Sequence, residues 1–327
     1  MNKARRTLIA AGLVGALGIL AAAPTFASSF PDRPVKIVVG LAPGGGTDTL
    51  ARMVAKELST LWGQSVVVEN RTGASGTIGA DSVIRSAPDG YTLLISPQTS
   101  IAVAPQLFAQ APYDPLKDLT PITVIASSPL VMVANPSFPA NNFKEFIEYA
   151  RKHPGQVTFA SGGVGSSPHM TSELLQAQFD IKGIHVPYRG EQPALTDVAS
   201  NQVNVLFANI PSGMPHVTSG RLKALVTTGA KRSPLAPDVP TITESGQGEI
   251  VTATWNALYG PAGMAPELVQ KINSDVAKVI NKKEIHDRLV QSGNEPVLNS
   301  PEQFKTFLKS EYDRWGSVIK TNKLQAQ

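Results

Sequence analysis

The chain has 327 residues, 17% of them charged, and a formal net charge of +4. It has no cysteine, which excludes disulfides, a lipid-anchored N-terminal cysteine and thiolate chemistry. Lys3, Arg5 and Arg6 supply three of the four net charges, so the rest of the chain sits near +1 and carries no electrostatic footprint for nucleic acid.

Those three basic residues precede an apolar run from Leu8 to Leu20 and a small-residue stretch ending at Thr25-Phe26-Ala27. The pattern is that of a secretory signal peptide over residues 1–27, and the run is too short to span a bilayer. Arg5-Arg6 stands in a context that matches a twin-arginine signal poorly, so the general secretory route is expected. No later stretch is long and apolar enough for a membrane span, and the exported protein is expected in the periplasm or outside the cell.

Val35–Val39 is β-branched and apolar, the pattern of a buried strand. It runs into Pro43-Gly44-Gly45-Gly46-Thr47-Asp48, and a helical pattern with Leu50, Met53, Val54, Leu58 and Leu61 on one face follows. A strand, a glycine loop and a helix N-terminus together suit an anion. The first helical turn has unpaired N–H groups and partial positive charge, and glycine lets a ligand approach the backbone. The loop lacks the Gly-Lys-Ser/Thr ending of a P-loop and the Gly-x-Gly-x-x-Gly spacing. A tight turn without a ligand accounts for the same residues.

Ser65–Asn70 reads as a second strand, Thr72–Gly76 as a turn into a helix reaching Arg85, and Tyr91–Ile95 as a third strand ending in the polar loop Ser96-Pro97-Gln98-Thr99-Ser100. The β-α-β-α-β order predicts a doubly wound parallel α/β sheet, with ligands beyond the C-terminal strand ends. Pro105–Pro121 reads as irregular. Ile122–Val133, broken by Ser127-Ser128-Pro129, reads as a strand leaving one domain for another. A second α/β series follows. Strand Val157–Ala160 leads to the loop Ser161-Gly162-Gly163-Val164-Gly165-Ser166-Ser167, with Ser167 as N-cap and Pro168 opening a helix. Strand Ile184–Pro187 leads to Tyr188-Arg189-Gly190, and strand Val203–Phe207 to Ala208-Asn209. Ala253–Tyr259 reads as a strand crossing back. The C-terminal part is helical, with a capping box at Ser300-Pro301-Glu302-Gln303. The domains expected are a discontinuous lobe of residues 28–126 and 256–327 and an inserted lobe of residues 127–255.

Two glycine loops in different halves can hold one carboxylate between two helix N-termini, through N–H groups and hydroxyls. Ser161, Ser166, Ser167, Thr47, Ser96 and Thr99 offer the hydroxyls; each also fits a cap or turn. Asp48, in a first helical turn, is expected to brace its loop. Arg189 can complement an anion or lie solvated. His153, His169, His185, His216 and His286 have no metal-like spacing, and only His169 falls near the expected site. No Gly-x-Ser-x-Gly elbow is present. No cofactor is expected.

The chain resembles the Bug family, the periplasmic solute-binding components of tripartite tricarboxylate transporters. The likeness covers essentially all of the expected mature chain. It is carried by Leu41–Arg52, Val68–Gly76, Ser161–His169, Val186–Gly190 and Pro261–Pro266, the last proline one place displaced. The resemblance implies a type II-like, two-lobed binding protein, each lobe a mostly parallel sheet flanked by helices, joined by two crossing strands. It implies a monomer that closes on a dicarboxylate, tricarboxylate, acidic amino acid or aromatic acid and delivers it to membrane partners. The site implied is Pro43, Gly44, Gly45, Gly46, Asp48, Ser96, Gln98, Thr99, Ser161, Gly162, Gly163, Gly165, Ser166, Ser167, His169, Tyr188, Arg189 and Asn209. Many relatives have Phe-Asp-Asn where this chain has Phe207-Ala208-Asn209, which disfavours an amino-acid ligand here. A serine-dependent periplasmic hydrolase, or a ligand-sensing partner of a membrane receptor, are the alternatives.

Overall fold

The first apolar run forms strand β1 (Val35–Val39), with Val35, Ile37, Val38 and Val39 buried. The structure, a computed structural model, describes residues 30–108 and 113–325, so the expected signal peptide lies outside the described residues. Helix α1 (Gly46–Trp62), strand β2 (Val66–Asn70), helix α2 (Thr77–Ile84) and strand β3 (Thr92–Pro97) follow. The polar stretch after β3 is no loop: Thr99–Val103 forms a π-type turn, with Ser96, Gln98 and Ser100 buried. Short helices α3 (Ala104–Leu107) and α4 (Pro115–Asp118) lie in the stretch expected to be irregular. Each has proline in its first turn, where no N–H is needed.

Strand β4 (Leu119–Ala134) runs unbroken through Ser127-Ser128-Pro129. Its register against the crossing strand shifts between Pro121 and Thr123, as expected where proline offers no N–H. The second series is α5 (Phe143–Lys152), β5 (Val157–Ser161), α6 (Ser167–Phe179), β6 (Gly183–Pro187), α7 (Glu191–Ala199), β7 (Val205–Asn209), α8 (Ile210–Thr218) and β8 (Lys223–Thr227). The chain ends with β9 (Ala253–Pro261), α9 (Pro266–Ile280), α10 (Lys283–Gln291), β10 (Glu295–Pro296) and α11 (Pro301–Thr321). The capping box forms, with Ser300 and Gln303 bonding each other's backbone N–H.

The strand order is β2-β1-β3-β9-β4-β7-β5-β6, with β8 and β10 also on β4. β1 pairs in parallel with β2 (Val35 opposite Val66) and with β3 (Lys36 opposite Thr92). β5 repeats the arrangement with β6 (Val157 opposite Gly183) and β7 (Phe159 opposite Val205). Between these units β4 and β9 pair antiparallel from Leu119–Pro261 to Pro129–Ala253. The expected α/β fold of two mostly parallel units joined by two crossing strands is therefore present. Val38, Leu94, Trp255, Tyr259, Phe304 and Trp315 centre one core cluster, and Met132, Phe143, Phe146, Phe159, Phe207 and Val226 another. Each such side chain contributes about 1.5–3 kcal/mol on burial. Among the described residues no helix is long and apolar enough to cross a membrane.

Candidate functional site

In each parallel unit the chain leaves the central strand in one direction and later returns on its other side. That reversal opens a crevice at the C-terminal strand ends, where α/β sheets take ligands. The candidate residues lie at or just beyond the ends of β1, β3, β5, β6 and β7.

The first glycine loop is held by Asp48. Its Oδ2 accepts from the Gly44 N–H at 2.9 Å and from Arg52 Nε at 2.9 Å, and its Oδ1 accepts from Asn70 Nδ2 at 2.9 Å. These bonds, the Arg52 one first, outweigh burial and hold the Asp48 carboxyl down to about 2. The carboxylate is thus used inside the loop, the bracing role expected of it. Gly44 takes φ +82°, the left-handed region that favours glycine, whereas Gly45 takes an ordinary φ of −73°. Pro43, Gly44, Gly45 and Gly46 are exposed, so their backbone faces solvent at the start of α1.

The second loop is more tightly bonded. Ser166, not Ser167, is the N-cap of α6, and Ser167 is its first helical residue; a cap is set by backbone dihedrals that two adjacent serines do not distinguish. The Ser166 hydroxyl donates to the Gly163 carbonyl at 2.7 Å. Ser161 Oγ accepts from the Gly163 N–H at 3.1 Å and lies 2.7 Å from His185 Nε2. His169 Nδ1 accepts the Gly165 N–H at 3.0 Å, and its ring stacks on His185 with centroids 3.8 Å apart. Burial, then His169, pushes the His185 imidazole down to about 4. His169 was the one histidine expected here; His185 joins it because β6 lies beside β5 in the sheet.

The Thr47 hydroxyl donates to Asn256 Oδ1 on the crossing strand β9 at 2.7 Å, which ties the first loop to its own unit. Other contacts join the two units. The Ser167 hydroxyl faces Gln98 Oε1 at 3.4 Å, a long bond. A Cβ placed on Gly165, whose φ is +78°, would meet Leu107 Cδ2 at 2.8 Å. The loop after β5 therefore abuts the segment that follows β3.

The other candidates differ in availability. Ser96 Oγ is buried without a partner, and Thr99 is half-buried. Gly162 and Gly163 lie against the Tyr188–Glu191 segment. The Tyr188 hydroxyl donates to Asp197 at 2.7 Å; burial, then Asp197, pushes it up to about 12. Asn209 Nδ2 donates to Glu191 Oε2 at 2.7 Å, so one of its donors is occupied. Arg189 is exposed, and among the described residues nothing pairs with it. Sequence reasoning missed Asn256, Glu191 and His185, whose roles arise from contacts distant in sequence. It also missed Ala74 and Ser75, which take φ of +44° and +55° in the turn before α2. An open, mostly apolar depression is lined by Ile210, Pro211, Met214, Pro215, Leu235 and Gln291, with Thr218 and Ser219 as further polar groups. Among the described residues no cluster of three or more metal-ligating side chains occurs.

The family profile described as tripartite tricarboxylate transporter family receptor matches residues 50–324. Protein BugT of Bordetella pertussis is 35% identical over 321 residues, covering 98% of each chain. A Rhodopseudomonas palustris protein solved with adipate is 34% identical, with a TM-score of 0.76 over 90% of this chain and 99% of that one. MatC from the same organism, solved with bound malate, is 32% identical, with a TM-score of 0.73 over 89% of this chain and 100% of that one. This chain belongs to the tripartite tricarboxylate transporter receptor family.

Proposed function

We propose that this protein is a periplasmic solute-binding receptor that captures a small organic carboxylate between two lobes and delivers it to the membrane components of a tripartite transporter. The observation that carries this reading is the junction of the two units, where the loop after β5 abuts the segment after β3. The N-termini of α1 and α6 are suited to a carboxylate, with N–H groups, dipole and hydroxyls replacing a buried arginine. The lobes proposed are residues 28–126 with 256–327, and residues 127–255. The pairing of β4 and β9 across both units supports that division. The solved relatives with adipate and malate support a dicarboxylate.

Binding without catalysis is the reading proposed. Ser161 and His185 make a serine–histidine pair, but the serine is fully buried and already bonded to Gly163. The imidazole, held near 4, is a weak base at neutral pH.

A thermal-shift screen of dicarboxylates, tricarboxylates, aromatic acids and acidic amino acids tests this. At 100 times its Kd a ligand adds about 2.7 kcal/mol, a rise of several degrees in Tm. A dicarboxylate is expected to give the largest shift and an amino acid a smaller one; no shift with any acid overturns the reading. Intact-mass measurement of the periplasmic protein is expected to give a chain starting near Ser28, and a chain retaining Met1 removes the signal-peptide reading.

A further inference from the structure

The C-terminal helix α11 reaches the second glycine loop by two separate chains of contacts. The first begins at Glu311, a buried side chain. Its Oε2 accepts from Trp255 Nε1 at 3.0 Å, Gln98 Nε2 at 3.1 Å and Trp315 Nε1 at 3.2 Å, while Oε1 pairs with Arg314 at 2.6 Å. A carboxylate only accepts hydrogen bonds, so Gln98 must turn its NH2 toward Glu311 and its Oε1 away. That oxygen faces the Ser167 hydroxyl, at the first turn of α6.

The second chain begins at Asn322, the C-cap of α11. Its Nδ2 donates to Glu173 Oε2 at 2.6 Å and to the Glu173 carbonyl at 3.2 Å. Glu173 Oε1 lies 3.6 Å from His169 Nε2. The opposite ring nitrogen accepts the Gly165 N–H, so the neutral ring carries its proton on Nε2, facing the carboxylate. Glu173 thereby faces, at a distance longer than a hydrogen bond, the N–H side of the ring whose other nitrogen accepts from the left-handed Gly165. Neither Glu311 nor Asn322 belongs to a glycine loop, yet the two chains end within three residues of each other, at Gly165 and Ser167.

We propose that α11 positions the second glycine loop from two points, so that Glu311 and Asn322 are positioning residues for ligand capture. The consequence for affinity rests on the reading of Ser161–Ser167 as half of the ligand site. The placement of the loop does not, and the two are tested separately.

Amide hydrogen exchange, resolved by NMR on the purified protein, reads the loop directly. In Asn322→Ala the Gly165 amide is expected to exchange about tenfold faster, while the Gly44 amide, held by Asp48, keeps its rate. Asn322→Asp sets a carboxylate against Glu173 and is expected to give a larger rise. Glu311→Gln removes the charge that orients Gln98 and is expected to loosen Ser167 with Gly44 again unaffected. Unchanged Gly165 exchange in both folded Asn322 variants overturns the proposal, as does an equal rise at Gly44, which marks general destabilisation. Calorimetry with adipate and malate reads the consequence: whichever acid binds wild type is expected to bind Asn322→Ala about tenfold more weakly. Wild type that binds neither acid counts against the carboxylate reading, whereas the exchange result at Gly165 still decides the placement of the loop.

Discussion

Asp48→Ala is expected to cost about 3 kcal/mol of stability and to weaken carboxylate capture at least tenfold. The Asp48 side chain is 3% exposed and accepts from three donors, and its removal takes from the loop the acceptor that holds Gly44, Arg52 and Asn70, leaving the Thr47–Asn256 bond to fix it. Arg52 is half exposed and rehydrates easily, which keeps the loss below that of a fully buried pair. The same carboxylate sets a pH dependence. Its pKa is depressed in the folded protein, from 3.8 to about 2, so it stabilises above the unfolded value. That stability, about 2 kcal/mol, is lost as the pH falls through 4 toward 2. His185 acts in another window. Its depressed pKa makes the unfolded chain the better proton acceptor between about 6.5 and 4, and stability falls across that interval on acidification. Chemical denaturation of wild type and Asp48→Asn from pH 7 to pH 2 separates the two. The difference between the proteins is expected to shrink only below pH 4. A difference that is constant with pH, or absent, removes the bracing role.

The alternation of strands and helices was legible because it is a local property. β-branched runs, glycine or proline punctuation and amphipathic spacing each reside within a dozen residues, and they carried both parallel units and the capping box of α11. The doubling of the β2-β1-β3 order in β6-β5-β7 follows from that alternation, and it placed both glycine loops beside reversals of strand order. Features that depend on partners distant in sequence were not legible. Ser96–Ser100 is polar and reads as a loop, but Gln98 is buried, with Glu311 from α11 accepting its amide. Ser127-Ser128-Pro129 reads as a break. It stays in β4 because β9 lies beside it through Ala253–Trp255. The Ser166 cap was missed by one residue. His185 was passed over because its sequence neighbours signal only a strand; its meeting with Ser161 and His169 is a product of sheet register.

Gly165→Ala and Gly45→Val are expected to separate backbone placement from ligand access. Gly165 takes φ +78°, where a Cβ costs about 1–2 kcal/mol. The added methyl also meets Leu107 Cδ2 at 2.8 Å, so Leu107 must shift or the loop must withdraw from the segment after β3. Gly165→Ala is therefore expected to lower Tm by several degrees and to reduce affinity at least tenfold. Gly45 has an ordinary φ of −73°, and a Cβ there meets only the Ala42 carbonyl oxygen, at 3.5 Å. Gly45→Val should fold with a loss of about 0.5–1 kcal/mol, because its Cβ meets no clash and the cost is that of valine at the N-cap of α1. Its isopropyl group stands at the N-terminus of α1, where the carboxylate is proposed to sit. Loss of even one charge-assisted hydrogen bond there is worth about 1.5–3 kcal/mol, or at least tenfold in Kd. Ser166→Ala serves as the comparison. Its hydroxyl already serves the Gly163 carbonyl, so its removal is expected to cost about 1 kcal/mol of loop stability and only a small part of affinity. Calorimetry with the acid that gives the largest thermal shift orders the three variants. Gly45→Val that binds as tightly as wild type places the ligand away from the first glycine loop. If Gly165→Ala also binds normally, both glycine loops are turns and the carboxylate lies elsewhere in the fold.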